Sequence, residues 1–507
     1  MTPVRGAASV GSGLASAREA RPIRDGERIH VVGAAGAGAS AAALLARHRG
    51  AQVSGCDGGG PSPYTPALEE AGIELEWSHD PGHVARMPRP ERLAVTKALT
   101  AVDPRNPELE AARAASIPLE PWQQVIADAA VGRTLVGVAG THGKSTSAGW
   151  LVHVLVDAGL DPCAFVGALM PERLTGGCPS TARWGSGTPF IVEADEYAGN
   201  FDSYRPDVAL LTSAEWDHPD VFADRGAVVD SFASWIERAG ESVEHPVLVA
   251  NMADPGVAEV VARLHGWHGT VLATRLTAGG AAPALPGSWV VGTVEAADAG
   301  GTTLRLEGSG LATAVTARLQ LAGRHNAANA LSVAGAALTL GVAPDAVAEG
   351  LGSFAGVGRR LERKGEGRGV VVYDDYGHHP TAIRETLAAI RQIEPGRRIW
   401  AVYEPLTYHR TAAMLEEFAK VLATADAVAI ADIWASRDPD TSVTSAAALA
   451  EATARRRPGL TAVATGSVER TAEWLSGQVR SGDAVLVMGG GKSYRIAELL
   501  VAALRGR

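Results

Sequence analysis

Short apolar runs that stop at a glycine turn or at acidic residues, each followed by an Ala/Leu-rich stretch of helical spacing, recur along this chain. Arg28-Ile29-His30-Val31-Val32-Gly33 is the first, and after a helix Ala51-Gln52-Val53-Ser54-Gly55-Cys56-Asp57 reads as a second strand ending in a carboxylate. Uninterrupted apolar strands alternating with helices are the mark of a parallel sheet covered on both faces. The pattern resumes at Leu135–Ala139, at Phe190-Ile191-Val192-Glu193-Ala194-Asp195-Glu196, and at Pro206–Thr212, which ends before Glu215-Trp216-Asp217-His218. It returns at Val370-Val371-Val372-Tyr373-Asp374-Asp375 and at Ala484–Met488, which runs into Gly489-Gly490-Gly491-Lys492. That last turn fits an anion site or a plain strand-to-helix connection equally well. The segment Ile117–Trp122 and its helix close a first unit, Thr277–Gly287 and Thr302–Leu306 suggest loops and a small β insertion, and Gly350–Gly358 suggests a hinge. The chain is therefore expected to be α/β, with domains at 26–130, 131–352 and 353–507 behind an extension at 1–25. A length of 507 residues also implies about three cores.

Composition narrows the function classes. A net charge of −10 argues against a nucleic-acid or anionic-membrane partner, and no apolar run is long enough to span a bilayer. Cys56, Cys163 and Cys178 are odd in number and lack metal spacing, so neither a disulfide scaffold nor a zinc site is indicated, and a reducing cytoplasmic location is expected. Residues 1–25 are small, polar and Arg-bearing without a continuous apolar segment, which predicts a disordered extension rather than a signal peptide.

The strongest chemical signal is Gly140-Thr141-His142-Gly143-Lys144-Ser145-Thr146, which follows an apolar strand and opens a helix. A glycine turn at a helix N-terminus presents backbone N–H groups to phosphate; Lys144 would reach the terminal phosphates and the Ser145 hydroxyl would ligate Mg²⁺. Adjacent acids at strand ends, with His218, could complete such an ion's shell, making Ser145, Glu193 and His218 the candidate metal ligands. ATP with Mg²⁺ is the expected cofactor pair. In the first unit Gly33, Gly36-x-Gly38-x-x-Ala41 and Asp57 have dinucleotide-like spacing, which is compatible with NAD, with another pyrophosphate, or with a tight turn.

The shortened phosphate loop resembles that of the Mur ligase family, which builds the peptide stem of peptidoglycan. Further blocks agree in order: Gly33 to Ser40, Asn106–Arg113, Glu193–Glu196, Gly323-Arg324-His325-Asn326, Arg359-Arg360-Leu361-Glu362, Asp374-Asp375-Tyr376-Gly377-His378-His379-Pro380, and Asp432–Asp438. The resemblance implies a Rossmann-like N-terminal domain for a UDP-sugar, a central P-loop ATPase domain, and a Rossmann-like C-terminal domain for an amino acid. It further implies that His325 and Asn326 mark the adenine site, that Arg360 offsets charge on the transferring phosphoryl group, and that Asp375 contacts ribose or the catalytic lysine region. Gly33, Gly36, Gly38, Ser40, Asp57, Tyr376, His378, Tyr408 and Arg410 are the implied substrate-binding positions.

Within the family the alanine-adding branch is the nearest in pattern. No lysine lies between 145 and 363, so the carbamoylated lysine typical of the later stem ligases has no counterpart. The implied substrates are UDP-N-acetylmuramate and L-alanine, on a monomer or homodimer. Two departures keep rivals open. Thr212-Ser213-Ala214-Glu215-Trp216-Asp217-His218 is partly reminiscent of a ligase that recycles the murein tripeptide, and Glu404-Pro405-Leu406-Thr407-Tyr408-His409-Arg410-Thr411 has Leu406 and Thr407 where the family has His and Arg. A nucleotide-binding regulator without turnover is the rival of another class.

Overall fold

The computed structural model describes residues 10–277, 287–435, 438 and 440–506. Among them, the strands form three sheets in chain order. The first holds β1 (Arg28–Val32), β2 (Gln52–Cys56), β3 (Glu74–Glu76), β4 (Arg92–Val95) and β5 (Leu119–Pro121), all parallel, in the order β3-β2-β1-β4-β5. The order reverses between β1 and β4, where Gly33 and Thr96 follow the strand ends; in a doubly wound sheet a ligand crevice opens at such a point. The helix Ala37–His48 buries Ala39 through Ala46 because small residues let it approach closely, and Trp122 lies across it.

The middle sheet runs through β6 (Thr134–Ala139), β7 (Cys163–Met170), β8 (Ser180–Arg183), β9 (Pro189–Ala194), β10 (Val208–Leu211), β11 (Val247–Asn251), β12 (Thr270–Thr277), β13 (Ser288–Asp298), β14 (Gly301–Gly308) and β15 (Val315–Leu319). Its spatial order is β15-β14-β13-β12-β11-β10-β6-β9-β7-β8. Thr302–Leu306 is therefore no separate insertion: β13, β14 and β15 continue the same sheet as an antiparallel edge. Most of the Gly/Ala/Pro-rich segment before it, 278–286, lies outside the described residues. The third sheet comprises β16 (Glu362–Gly367), β17 (Val370–Asp375), β18 (Arg398–Glu404), β19 (Ala427–Ala431), β20 (Ala462–Gly466) and β21 (Asp483–Gly489), ordered β16-β17-β21-β18-β19-β20. It begins one strand earlier than the apolar pattern indicates, since β16 is a charged, Gly-bearing edge strand antiparallel to β17. Between the middle and third sheets, Phe354 and Val357 are buried, so the Gly350–Gly358 connection is packed along part of its length.

The first and middle domains share one apolar cluster, which includes an edge-on contact of Trp122 with Phe165 at 5.3 Å between ring centroids. Residues 10–25 do not behave as the expected disordered extension. Val10 and Ile23 are buried, and the Arg18 guanidinium bridges Glu120 (2.8 Å) and Asp128 (2.7 Å). Those carboxylates also receive the buried Arg92, so a polar segment is ordered by ion pairing where apolar patterning gives no sign of it.

Gly38 owes its identity to packing, because a Cβ there would fall 2.2 Å from the Trp122 ring. Gly38→Ala should therefore destabilise the protein by about 1–3 kcal/mol in urea titration, with a change in tryptophan emission. An unchanged midpoint would show that Trp122 yields freely.

Candidate functional site

The carboxyl ends of all three sheets converge on one cavity of about 410 Å³. Lys144 and Ser145 follow β6, Glu193 ends β9, and Asp217 and His218 follow β10; the third domain adds Arg360, Tyr376, His378 and Arg410. From the first domain come Thr96, Lys97, Trp122 and Gln123 rather than the glycine loop. No motif marks those four residues, and their only sequence signal is their place just after short strands. On the other side of Gly143 a second cavity, about 310 Å³, contains His325, Asn326, Asn329, Asp375 and Thr381.

Gly140 and Gly143 have φ of 133° and 83°, and a Cβ on Gly140 would lie 2.2 Å from the Thr212 hydroxyl, so only glycine fits the loop. Thr141 N and Oγ1 donate to the carbonyls of Ser213 and Glu215, and His142 N donates to Ser213 Oγ, which fixes the loop's shape. Lys144 Nζ donates to Gly140 O (2.7 Å) and Glu196 Oε2 (2.8 Å) and lies 3.5 Å from Asp195. Burial works against its charge, but Glu196 and Asp195 outweigh burial and hold the ammonium ionised above its ordinary range.

The Ser145 hydroxyl donates to Glu193 Oε1 (2.9 Å) and accepts from Arg360 Nη2 (2.7 Å), while Gly167 N donates to Glu193 Oε2 (2.6 Å). Two of the three sequence-derived metal ligands are thus in contact. The third, His218, instead joins Asp195 and Glu196, with ligand atoms within 4.8 Å of one another. Thr146 lines both cavities.

Arg410 Nη2 donates to Asp217 Oδ1 (2.6 Å) and to His218 Nδ1 (3.1 Å), joining the third domain to the middle one. Burial would raise the Asp217 carboxyl, but Arg410 holds it well below the usual range. His218 is pushed down to about 4 by burial and stays neutral, as its acceptance of the Arg410 hydrogen bond requires. Burial likewise takes His378 well below its ordinary value and His379 to about 4. His379 Nδ1 accepts from Thr381 N and its Nε2 lies 3.2 Å from Trp216 O, the pattern of a neutral ring capping a helix.

Several expected contacts take a different form. Asp57 accepts from Ala35 N and Gly59 N, so it fastens the glycine loop. Gly33 is needed for its φ of 85° beside Thr96, whereas Gly36 begins the helix in extended conformation. Ser40 is buried, donates to Ala37 O and meets Thr181 Oγ1 at 3.1 Å, a link to β8 rather than to a cleft. Asp375 accepts from Leu361 N and Gly377 N; it does not touch Lys144 but shapes the turn that presents Arg360. Tyr376 is packed by the Arg359 and Arg360 guanidinium groups at 5.1 and 4.9 Å, and Tyr408 lies outside the lining of the larger cavity. His409 pairs with Asp438, so it takes no part in the cleft. Asn326 donates to Ala322 O and accepts from Asn329, which itself lies against Gly143 and carries no motif of its own. The turn after β21 faces an acid rather than an open anion site: the buried Glu404 carboxyl stands against Gly491, and Arg359 donates to Gly489 O.

Family models match in the same order as the sheets: Mur ligase family, catalytic domain at 28–134, Mur ligase middle domain at 138–337, and Mur ligase, glutamate ligase domain at 359–491. The chain belongs to the Mur ligase family. Similar curated members include the UDP-N-acetylmuramate–L-alanine ligase of Kineococcus radiotolerans, 37% identical over 92% of this chain and 93% of the relative. The ligase of the same name from Mycolicibacterium smegmatis is 36% identical over 94% and 95%. Among solved Mur ligase structures, the UDP-N-acetylmuramate-alanine ligase MurC of Thermotoga maritima superposes with a TM-score of 0.73 at 23% identity, covering 94% of this chain and 98% of that one. A murein peptide ligase from Psychrobacter arcticus gives 0.71 at 23%, covering 95% and 99%. At that identity the superpositions establish the fold of this Mur ligase.

His218 and His379 are neutral in the folded protein down to about pH 4, whereas the unfolded chain binds their protons near pH 6.5. Stability should therefore fall as pH drops from 6.5 to 4, by up to about 1.4 kcal/mol per pH unit for each ring. Urea midpoints of the wild type and of His379→Asn, which retains a capping acceptor, check this. A shallower slope in the variant is expected, and identical slopes would exclude His379 as a contributor.

Proposed function

We propose that this Mur ligase joins the lactyl carboxylate of UDP-N-acetylmuramate to the amine of L-alanine with hydrolysis of ATP to ADP and phosphate. A carboxylate is a poor electrophile. The γ-phosphoryl group is first transferred to the lactyl oxygen, giving an acyl phosphate; the amine then attacks its carbonyl carbon, and phosphate leaves. Lys144 and Arg360 act by neutralising charge on the transferring group, the dominant contribution in phosphoryl transfer. Mg²⁺ would supply further neutralisation; Ser145 and Glu193 would hold one ion, and Asp195 with His218 offers oxygen and nitrogen donors for another.

The observation that carries this reading is the meeting of phosphate-loop and third-domain cations in one cavity, where two guanidinium nitrogens, Arg360 Nε and Arg410 Nη1, are buried without a hydrogen-bond partner. A buried guanidinium N–H without an acceptor is costly, and a substrate oxyanion would satisfy it. We assign Arg410 Nη1 to the α-carboxylate of the amino acid, since its Nη2 is already held by Asp217. The smaller cavity, where His325 Nδ1 makes no hydrogen bond and stands 4.0 Å from Glu385, suits the adenine and ribose. Glycines and Thr96 at the β1/β4 crevice suit the UDP pyrophosphate, with domains taken at 26–130, 131–352 and 353–507. The recycling branch is a near-equal match in fold, but the alanine ligases are the relatives at 34–37% identity over most of the chain.

Phosphate release with ATP, Mg²⁺ and UDP-N-acetylmuramate should depend on L-alanine and exceed that with glycine, L-serine or the stem tripeptide. Tripeptide-only turnover would place the protein in the recycling branch, and silence with all four would make it a regulator. Arg360→Ala should lower kcat by about 10²–10³-fold while ATP still binds. An equal loss of ATP affinity would assign Arg360 to ground-state binding.

A further inference from the structure

A second group of chemically reactive side chains lies inside the first domain, and the ligation reaction makes no use of it. His30 from β1, Cys56 at the end of β2, His83 from the helix Gly82–Ala85 and Glu108 from the helix Pro107–Ala114 are all buried and point at one another. His30 Nε2 lies 2.8 Å and His83 Nδ1 3.1 Å from Glu108 Oε1, and Cys56 Sγ lies 3.1 Å from Glu108 Oε2. His79 closes the exposed side, its Nδ1 being 3.3 Å from Cys56 Sγ.

We propose that His30 Nε2, Cys56 Sγ, His83 Nδ1 and the Glu108 carboxylate form a structural Zn²⁺ site. Two observations distinguish this from a plain hydrogen-bonded cluster. His30 Nε2 is buried and, although 2.8 Å from Glu108 Oε1, has no well-aligned hydrogen bond there. In addition, the outer nitrogen of each imidazole is already occupied: His30 Nδ1 meets Ser54 Oγ at 2.8 Å, and His83 Nε2 meets Glu76 Oε2 at 3.0 Å. Outer partners of this kind orient metal-ligating histidines, and the Glu76 carboxylate, which only accepts, also fixes the His83 tautomer that leaves Nδ1 free.

Zn²⁺ bonds of about 2.0–2.3 Å in a tetrahedron place ligand atoms about 3.3–3.7 Å apart; the three contacts to Glu108 are a few tenths of an ångström shorter than that, and all four ligand atoms lie within 4.8 Å of one another. One thiolate, two imidazoles and one carboxylate suit zinc and exclude Mg²⁺ or Ca²⁺, which take oxygen shells. The thiol proton passes to solvent as the sulfur–zinc bond forms. Such a site would tie two strands to two short helices in a small sheet. It would also fix the glycine turn, because the Cys56 carbonyl accepts from Gly33 N (2.8 Å) and Ala34 N (3.0 Å).

The test is a Co²⁺ titration of chelator-treated, tag-free full-length protein, read by absorption. The expected result is a thiolate-to-cobalt charge-transfer band that saturates at one equivalent, vanishes in Cys56→Ser, and persists in Asp195→Asn, whose carboxylate lies at the phosphate loop. Added Zn²⁺ should raise Tm in the wild type and leave Cys56→Ser unmoved. No charge-transfer band in the wild type, or an undiminished band in Cys56→Ser, would overturn the assignment. The wild-type titration decides even if the variants fail to fold.

Discussion

The ion pair between Asp217 and Arg410 is the contact on which the reaction cleft depends. It joins the segment after β10 to the short helix Tyr408–Ala413 that follows β18, with both side chains almost wholly withdrawn from solvent. Such a pair need not add net stability, but losing either member leaves an uncompensated buried charge at about 3–5 kcal/mol. That asymmetry holds the third domain against the middle one in a single register. The neutral state of His218, the direction of Arg410 Nη1 and the approach of Arg360 to Ser145 all follow from that register. Thr381 on Glu215 and His379 on Trp216 strengthen the same interface, but they engage partly exposed groups and contribute less.

Electrostatic preorganisation is then a matter of which charges are satisfied within the protein. Lys144 is held between Glu196 and Asp195, so its ammonium stands beside the phosphate loop already charged and already immobile. Arg360 is shaped from behind by Asp375 through the Leu361 amide and stacked by Tyr376, which restricts its long side chain to one face of the cavity. Groups fixed in this way need little rearrangement as charge develops, so a cavity built from three domains can speed phosphoryl transfer, while cleavage of ATP supplies the driving force for the amide bond.

The parallel cores were legible in the sequence because strands buried on both faces leave continuous apolar runs, as at Val370–Asp375. The phosphate loop was legible because its glycines serve backbone geometry that no other residue adopts. The edge strand Glu362–Gly367 was not, since it lacks an apolar face, and residues 10–25 were not, since Arg18 orders them through carboxylates more than 100 positions away. Asp57, Ser40 and Asp375 stand near the places their motifs imply, yet their oxygens are engaged by backbone or by a neighbouring hydroxyl, which spacing cannot reveal. Trp122, Lys97 and Asn329 reach the cavities only through tertiary packing. The four residues of the inferred zinc site are spread from 30 to 108 without ligand spacing, so cysteine spacing in the sequence gives no hint of them.

The central claim is that the carboxylate is activated by phosphorylation in the Lys144–Arg360 cleft before the amine attacks. A direct measurement is turnover of UDP-N-acetylmuramate labelled with ¹⁸O in its lactyl carboxylate, with mass analysis of the phosphate released. The account predicts that each phosphate carries one labelled oxygen from the carboxylate. Phosphate free of label, alongside normal amide formation, would contradict it.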